Sequence, residues 1–305
     1  MSVIQATGLV KRYGRGRDAK TALAGFDLAV EEGEVFGYLG PNGAGKTTTI
    51  RLMLDFIRPT AGSIRVLGAD PRDNATARRR IGYLAGDFVA NGKQTGRELL
   101  TFLGDLRGGV SAKRVAELAD RFDLDLSRRI GTLSKGNRQK VGLVQAFMHD
   151  PALLVLDEPT SGLDPLLQQQ FIEMVRDAGG NGQTVFMSSH VLSEVQATCH
   201  RVAIVREGRL VTVANVEELR EQAHRRIEIT FAGEVAAAEF EALPSLRSVA
   251  VSEAAGGRTV LRALLSGSPD ALVKAAASHE VIGLLAEEPD LEELFFSLYQ
   301  REGRS

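Results

Sequence analysis

Apolar positions follow two different periods along the chain, and each period predicts a different element. Short, nearly continuous apolar runs predict buried strands at residues 35–39, 152–156 and 184–188. Apolar residues three to four positions apart predict helices at residues 96–103, 113–122 and 138–148. Residues 1–39 read as short strands, including 3–9 and 22–30. This alternation predicts an α/β core with a mainly helical part at about residues 88–150.

The stretch from residue 40 to residue 48, Gly-Pro-Asn-Gly-Ala-Gly-Lys-Thr-Thr, lies between a predicted strand and a predicted helix. It fits the phosphate-binding pattern G-x-x-x-x-G-K-[ST]. Gly43 and Gly45 allow backbone N–H groups to turn toward an anion, and the helix N-terminus adds partial positive charge. We expect Lys46 to reach the β- and γ-phosphates and Thr47 to coordinate Mg²⁺. The alternative is a glycine-rich turn, which the flanking strand and helix disfavour.

Two adjacent carboxylates, Asp157 and Glu158, follow the apolar run at residues 152–156. Open α/β sheets bind ligands beyond the carboxyl ends of their parallel strands. Because neighbouring strand residues point to opposite faces, we expect one carboxylate to hold Mg²⁺ and the other to address the attacking water. A solvated acidic turn is the alternative. His190 follows the run at 184–188 and is therefore expected at the same edge of the sheet.

Three further residues each allow two interpretations. Tyr13, on a predicted loop before the nucleotide strand, could stack on a purine ring or pack internally. Ser134 and Gly136 stand where a predicted helix begins, so they could cap it or form a second anion site. Taken alone, these residues favour packing for Tyr13 and capping for Ser134.

Composition narrows the class of protein. The net charge is −2, which gives no support to a general nucleic-acid-binding surface. The single cysteine, Cys199, excludes an intramolecular disulfide and fits a reducing compartment. The sequence has no apolar run of the roughly 18 residues that a membrane span needs, and its N-terminus does not look like a signal peptide. We therefore expect a cytosolic protein.

These segments, in this order, resemble the nucleotide-binding subunit of ABC transporters over about residues 3–220. Residues 40–48 look like the Walker A motif, residues 153–158 like Walker B, and residues 161–164 like the D-loop. Leu-Ser-Lys-Gly-Asn at residues 133–137 resembles the family signature, usually Leu-Ser-Gly-Gly-Gln. The resemblance implies an α/β P-loop NTPase cassette, with an α/β core and a helical subdomain, at residues 1–216.

The resemblance also implies a role for each matching residue. Glu158 would be the catalytic base, and His190 the switch histidine that stabilises the γ-phosphate. Asp157 would join Thr47 on Mg²⁺, and Tyr13 would stack on adenine, which reverses the interpretation favoured above. The remaining residues implied in ATP binding are Asn42, Thr48, Ser134 and Gly136.

The wording of the signature and Walker B regions is similar to the subfamily of drug, antibiotic and ion exporters. The resemblance implies an ATPase that works as a homodimer, with each ATP held between the P-loop of one chain and Ser134–Gly136 of the other. It also implies a separate integral membrane permease of the ABC-2 type, at the inner face of the cell membrane. No nucleic acid is expected as a partner.

Two positions depart from the family pattern. Lys135 and Asn137 replace Gly and Gln, but the phosphate-contacting pair, Ser134 and Gly136, is kept. Gly86 stands where the family places a Gln that senses Mg²⁺ and links to the membrane domain, and the next residue, Asp87, is the candidate replacement. Phe88, Val89 and Leu99 are expected to offer apolar contacts to the permease, and Arg97 and Glu98 a polar rim. The alternative for Phe88 is internal packing.

Residues 217–305 lie outside the cassette. Their predicted order, βαββαβ with a closing helix at residues 291–299, suggests a small ferredoxin-like α+β domain. The run at residues 289–295 is similar to one that ends the C-terminal extension common in this exporter subfamily. With nine basic and sixteen acidic residues the domain has a charge of −7, against +5 for the cassette. This charge favours a regulatory or dimer-supporting role over nucleic-acid binding.

Two other functions remain open. A soluble ABC ATPase acting on ribosomes or DNA usually has two cassettes in one chain or a long coiled-coil insertion, and this sequence has neither. A P-loop kinase that phosphorylates a small molecule would need neither Ser134 nor Gly136, and its activity would not require dimers.

Overall fold

A computed structural model of the chain describes residues 1–14, 16, 19–73, 75–222 and 224–287. The chain divides into two compact units, Met1–Ala214 and Asn215–Ser305. The first contains the predicted P-loop and both carboxylates, and the second contains the predicted α+β extension.

The first unit alternates strands and helices after an initial set of strands. Its strands are β1 Ser2–Tyr13, β2 Lys20–Ala24, β3 Leu28–Glu31, β4 Val35–Leu39, β5 Ala61–Val66, β6 Ile81–Leu84, β7 Leu153–Asp157, β8 Thr184–Ser189, β9 Arg201–Arg206 and β10 Arg209–Asn215. Its helices are α1 Lys46–Met53, α2 Ala75–Arg79, α3 Gly96–Leu106, α4 Ala112–Arg121, α5 Lys135–Phe147, α6 Pro165–Gly180 and α7 Leu192–Thr198, with a 3₁₀ turn at Ile130–Thr132.

A six-stranded sheet, in the order β10-β9-β4-β8-β7-β6, positions the predicted site residues. β8 is parallel to both β4 and β7, pairing Leu39 with Ser189 and Asp157 with Ser188. The carboxyl ends of these three strands therefore meet at one edge. Every residue of β4, β7 and β8 is buried, as expected for parallel strands covered on both faces. The P-loop leaves the sheet at this edge.

The main core lies between this sheet, α1 and a second, antiparallel sheet in which β2, β3 and β5 all pair with β1. Phe36 and Phe186 stack in it with ring centroids 6.0 Å apart, and Ile50 of α1 is fully buried. Each fully buried side chain of this size stabilises the fold by about 1.5–3 kcal/mol. This packing holds α1, and with it the P-loop, against the sheet.

The strand predicted at residues 22–30 is two strands, β2 and β3. The break is at Gly25, whose φ of +98° is incompatible with an extended strand. Tyr13 is the last residue of β1 rather than a loop residue. The predicted helical part contains α3, α4 and α5, each within three residues of its predicted start.

The second unit begins with α8 (Val216–Gln222) and continues as β11 (Arg225–Phe231), α9 (Ala237–Glu241), β12 (Leu246–Ala254), β13 (Arg258–Leu265), α10 (Asp270–Ala276) and β14 (Val281–Ala286). Its antiparallel sheet has the order β12-β13-β11-β14, and Phe231 and Phe240 are fully buried in its core. This βαββαβ arrangement confirms the predicted ferredoxin-like fold. The predicted closing helix at 291–299 lies outside the described residues. Within the part of the chain that is described, no helix combines the length and apolar character of a membrane span.

Candidate functional site

The P-loop connects β4 to α1 through a turn that depends on glycine. Gly43 and Gly45 have φ values of +83° and +108°. A Cβ atom on Gly45 would lie 2.7 Å from Cδ2 of Leu23 and 2.9 Å from the carbonyl oxygen of Ala22. Any side chain at this position would therefore push the loop away from β2. Asn42 is exposed in the loop.

Lys46, the first residue of α1, is buried with 6% of its surface exposed. Its ammonium group donates to the carbonyl oxygens of Gly40 at 2.6 Å and Pro41 at 3.3 Å, and lies 3.0 Å from Oε1 of Glu158. Two of its protons are thus taken by backbone carbonyls, and its charge is balanced by the ion pair with the carboxylate. Thr48 is half-buried in the first turn of the same helix.

Asp157 ends β7 and is nearly fully buried. The hydroxyl of Thr47 donates to its Oδ2 at 2.9 Å, and the hydroxyl of Ser188 donates to its Oδ1 at 2.5 Å. Sequence reasoning missed Ser188. The sequence signal was a polar residue at the end of an apolar strand. Ser188 lies opposite Asp157 because β7 pairs with β8, and neither segment alone predicts that pairing.

Glu158 lies just beyond the end of β7 and has a φ of +48°, in the left-handed region. Its N–H donates to the carbonyl and hydroxyl oxygens of Ser188, at 3.1 and 3.2 Å. The predicted alternation of faces does not apply to Glu158, because the strand stops at Asp157 and Glu158 lies in a left-handed turn. Both carboxylates instead contact neighbouring P-loop residues, Asp157 at Thr47 and Glu158 at Lys46.

His190 follows β8 and is half-exposed. Its Nδ1 lies 2.5 Å from Oε2 of Glu158, so this carboxylate joins the histidine to Lys46. The structure therefore brings together five of the predicted residues: Lys46, Thr47, Asp157, Glu158 and His190. The expectation that His190 shares the edge of the sheet with the two carboxylates is met by this contact.

Gly86 passes close to the end of β7. A Cβ atom on it would lie 3.2 Å from the carbonyl oxygen of Asp157 and 3.6 Å from Cβ of Glu158, so glycine allows a tight approach here. Asp87 is exposed. Burial, and after it the negative charge of Asp157, raise the pKa of the Tyr83 phenol on the neighbouring strand β6.

Ser134 and Gly136 form a second group. Ser134 is exposed and caps α5, its hydroxyl oxygen accepting from the N–H of Asn137 at 3.2 Å, so capping is confirmed. A Cβ atom on Gly136 would lie 2.9 Å from the carbonyl oxygen of Gly162 in the segment that resembles the D-loop. Among the described residues, neither Ser134 nor Gly136 has a hydrogen bond or ion pair to the P-loop.

Tyr13 is 40% exposed at the end of β1. The ammonium group of Lys11 lies 5.2 Å from the centroid of its ring, within the range of a cation–π contact. An aromatic ring this exposed is not a core residue.

Comparison with known proteins places the chain in a family. Residues 23–161 match the family described as ABC transporter. The linearmycin resistance ATP-binding protein LnrL of Bacillus subtilis is 31% identical over 311 residues, covering 98% of this chain and 99% of the relative. The daunorubicin resistance ATP-binding protein DrrA3 of Streptomyces coeruleorubidus is 36% identical over 311 residues, covering 97% and 96%.

A solved structure agrees on the fold of the first unit. It is a dimeric ATP-binding cassette in a post-hydrolysis state with ADP and Pi bound, with a TM-score of 0.65 and 22% identity over 70% of this chain and 98% of that one. The two relatives named above are each more than 30% identical to this chain over nearly the whole length of both proteins. The chain therefore belongs to the family of ABC transporter ATP-binding proteins.

Proposed function

We propose that this protein is the ATP-hydrolysing subunit of an ABC exporter and powers a separate integral membrane permease of the ABC-2 type. The observation that carries the proposal is the pair of contacts joining the P-loop to the end of β7, Thr47 with Asp157 and Lys46 with Glu158. They gather a phosphate-binding lysine, two oxygen ligands for a metal and a carboxylate base at one point. The names of two relatives, resistance to linearmycin and to daunorubicin, favour export as the direction of transport.

The donor set fits Mg²⁺. At Mg²⁺–oxygen distances of about 2.1 Å, two adjacent ligands of an octahedron are about 3.0 Å apart. The Thr47 hydroxyl and Oδ2 of Asp157 are 2.9 Å apart, so both could bind one ion with little movement. Mg²⁺ usually takes one or two protein ligands and completes its shell with phosphate oxygens and water. When bound, the ion would neutralise charge on the phosphates.

The remaining residues divide the work of hydrolysis. Lys46 holds the β- and γ-phosphates once ATP draws its ammonium group away from Glu158. The carboxylate released by this exchange accepts a proton from the attacking water, and His190, already beside it, donates toward the γ-phosphate. Tyr13 stacks on the adenine through its exposed ring. Binding of ATP thereby frees the base that hydrolysis needs.

The working form is a homodimer with ATP between the two chains. Support comes from Ser134, which is exposed and lacks any bond to its own P-loop among the described residues, so its second contact is left to a partner. The dimeric cassette with ADP and Pi has the same fold. In this arrangement Ser134 and Gly136 of one chain contact the γ-phosphate bound by the other. ATP closes the dimer, and hydrolysis releases it.

The surface for the permease must be revised from the sequence prediction. Leu99 is buried at 8% exposure, so it was wrong as a docking residue. Phe88 is half-buried, and its ring would lie 2.9 Å from a Cβ on Gly142 of α5, so it packs internally. The side chain of Glu98 bonds the N–H of Thr95 in a capping box. Val89 remains 80% exposed and is the apolar contact that we keep.

The rival function is a soluble ABC ATPase that acts on ribosomes or DNA. The net charge of −7 in residues 217–305 opposes binding to a polyanion.

We infer that the protein is located at the cytoplasmic face of the cell membrane, where the permease holds it. The domain boundary at residue 216 and a regulatory or dimer-supporting role for residues 217–305 belong to this proposal.

A pull-down from detergent-solubilised membranes tests the function. The tagged chain is expected to recover an integral membrane protein, and recovery of ribosomes or chromatin alone would promote the rival. Val89→Asp should weaken the association while leaving ATPase activity unchanged, because Val89 lies outside the phosphate site. Val273→Asp is the matched control: the residue is 54% exposed on α10, and the change should not affect the association.

A further inference from the structure

Glu194 on α7 is a buried acidic residue that takes no part in the site described above. It is 7% exposed, and both of its carboxylate oxygens accept hydrogen bonds from buried hydroxyl groups. Oε1 accepts from Thr160, and Oε2 accepts from Ser189 at 2.8 Å. In the part of the chain that is described, Glu194 has no ion pair. A carboxylate is costly to bury without a cation, so its two donors are essential to it.

The two donors belong to the two segments that carry the predicted base and the switch histidine. Thr160 follows Glu158 by two residues, and Ser189 immediately precedes His190. The hydroxyl of Ser189 also accepts from the N–H of Val191 at 2.9 Å, so it braces both sides of His190. Glu194 thus ties the segment after β7 to the segment after β8, the two segments that also meet through the contact between Glu158 and His190.

The Thr160 segment also leads to the signature region. Leu163 N–H donates to the Thr160 carbonyl at 3.0 Å, and Gly162 lies between these residues. Gly162 is the residue whose carbonyl oxygen lies against Gly136. A shift of Thr160 would therefore move both the proposed base, Glu158, and the start of α5.

We propose that Glu194 is a positioning residue that holds the Glu158 and His190 segments in register for hydrolysis. The inference rests on the proposed function, because it assumes that these two residues act on ATP. Among the described residues Glu194 has no hydrogen bond to either of them, and it acts through Thr160 and Ser189. A misplacement of about 1 Å at reacting groups can cost about a hundredfold in rate, so a loosened tether should act on turnover. ATP binding rests on the P-loop and should be spared.

The test compares Glu194→Gln with Thr198→Val. The amide keeps the shape of Glu194 but replaces one acceptor oxygen with a donor, so it cannot accept from both hydroxyls. Thr198 lies on the same helix, is equally buried at 7% exposure, and donates to the Glu194 carbonyl at 2.7 Å. Loss of this hydrogen bond weakens α7 but removes no hydrogen bond from the segments of Thr160 and Ser189. Glu194→Gln is expected to lower kcat at least about tenfold with the KM for ATP within about twofold, and Thr198→Val to change neither.

A kcat for Glu194→Gln within about twofold of the unaltered chain would overturn the inference. An equal fall with Thr198→Val would also overturn it, because loss of helix stability would then suffice. If Glu194→Gln does not fold, Thr160→Val and Thr160→Ser replace it: the first should lose turnover, and the second, which keeps the hydroxyl, should retain it. Equal activity of these two would contradict the tether.

Glu158→Gln and His190→Ala, assayed in parallel, separate this inference from the proposed function. Both should be inactive if the proposed function is right. If they keep their activity, the proposed roles fail. If they lose it while Glu194→Gln does not, only the tether fails.

Discussion

The two halves of the candidate ATP site differ in how complete they are within one chain. In the P-loop half, Lys46 and Thr47 already contact Glu158 and Asp157. In the signature half, Ser134 is satisfied locally by α5, and its exposed hydroxyl has no contact with the P-loop among the described residues. One half is assembled by the fold of a single chain, whereas the other is presented outward.

This difference separates two kinds of dependence. A substitution in the P-loop half should inactivate the ATP site on the P-loop of the chain that carries it, whatever the partner chain is. A substitution in the signature half should inactivate only the ATP site on the P-loop of the other chain, which that signature completes. Substitutions can test this division directly.

The largest effect is expected from Glu158→Gln. The amide keeps the shape but cannot accept a proton from water, so turnover should fall by about 10² to 10⁴ while ATP binding remains. The variant should also accumulate an ATP-bound dimer in size-exclusion chromatography. Glu207→Gln is the control, because Glu207 has a similar φ of +51° but is 81% exposed in the turn between β9 and β10. Turnover at the unaltered rate would remove Glu158 from the role of base.

Mixing two inactive variants tests the signature half. Ser134→Arg and Lys46→Ala should each abolish turnover alone. A heterodimer of the two contains one composite site with both residues intact, so an equal mixture should recover about a quarter of full activity. Two Lys46→Ala preparations mixed together are the control and should recover nothing. Heterodimers that form without regaining activity would contradict the head-to-tail arrangement.

A smaller effect is expected from Ser188→Ala, which strips Oδ1 of Asp157 of its buried donor. Leaving a buried acceptor unpaired costs about 1–3 kcal/mol. The Mg²⁺ concentration for half-maximal activity should therefore rise about thirtyfold at the middle of this range. Thr184→Val is the control: this buried hydroxyl, at the other end of β8, accepts from Gly33 N–H at 3.0 Å. If both variants need the same Mg²⁺ concentration, Ser188 does not orient Asp157.

The smallest effect is expected from Tyr13→Ala. Loss of base stacking costs about 1 kcal/mol at the low end of its range, which corresponds to about a fivefold rise in the KM for ATP. The low end applies because the ring is 40% exposed. Tyr13→Phe keeps the ring and should keep the KM. A rise with Tyr13→Phe but none with Tyr13→Ala would be incompatible with stacking.

The sequence predicted the features that depend on local pattern. The P-loop, the strand that ends in Asp157 and the βαββαβ order of the second unit all follow from motif spacing and apolar period. Two features that depend on contacts between distant segments were missed or wrong. Ser188 needs the register of two strands, and Phe88 needs the approach of α5 at Gly142.

The failures at Leu99 and Gly25 have a different origin. The helical period marks Leu99 as apolar but does not say whether that face of α3 meets the core or a partner, and it meets the core. At Gly25 a single positive φ divides one apolar run into two strands. Neither a face nor a dihedral angle can be derived from the apolar pattern alone.

Under the proposed function, the left-handed backbone of Glu158 sets the thermodynamic stability of the protein against its activity. A side chain other than glycine costs about 1–2 kcal/mol in this conformation. Glycine at this position would therefore relax the backbone and raise the melting temperature of the first unit, while removing the carboxylate. Selection for stability alone would discard Glu158. Glu207 has a similar φ in an exposed turn, so the backbone alone does not mark a functional residue; at Glu158 the costly conformation coincides with the contacts to Lys46 and His190.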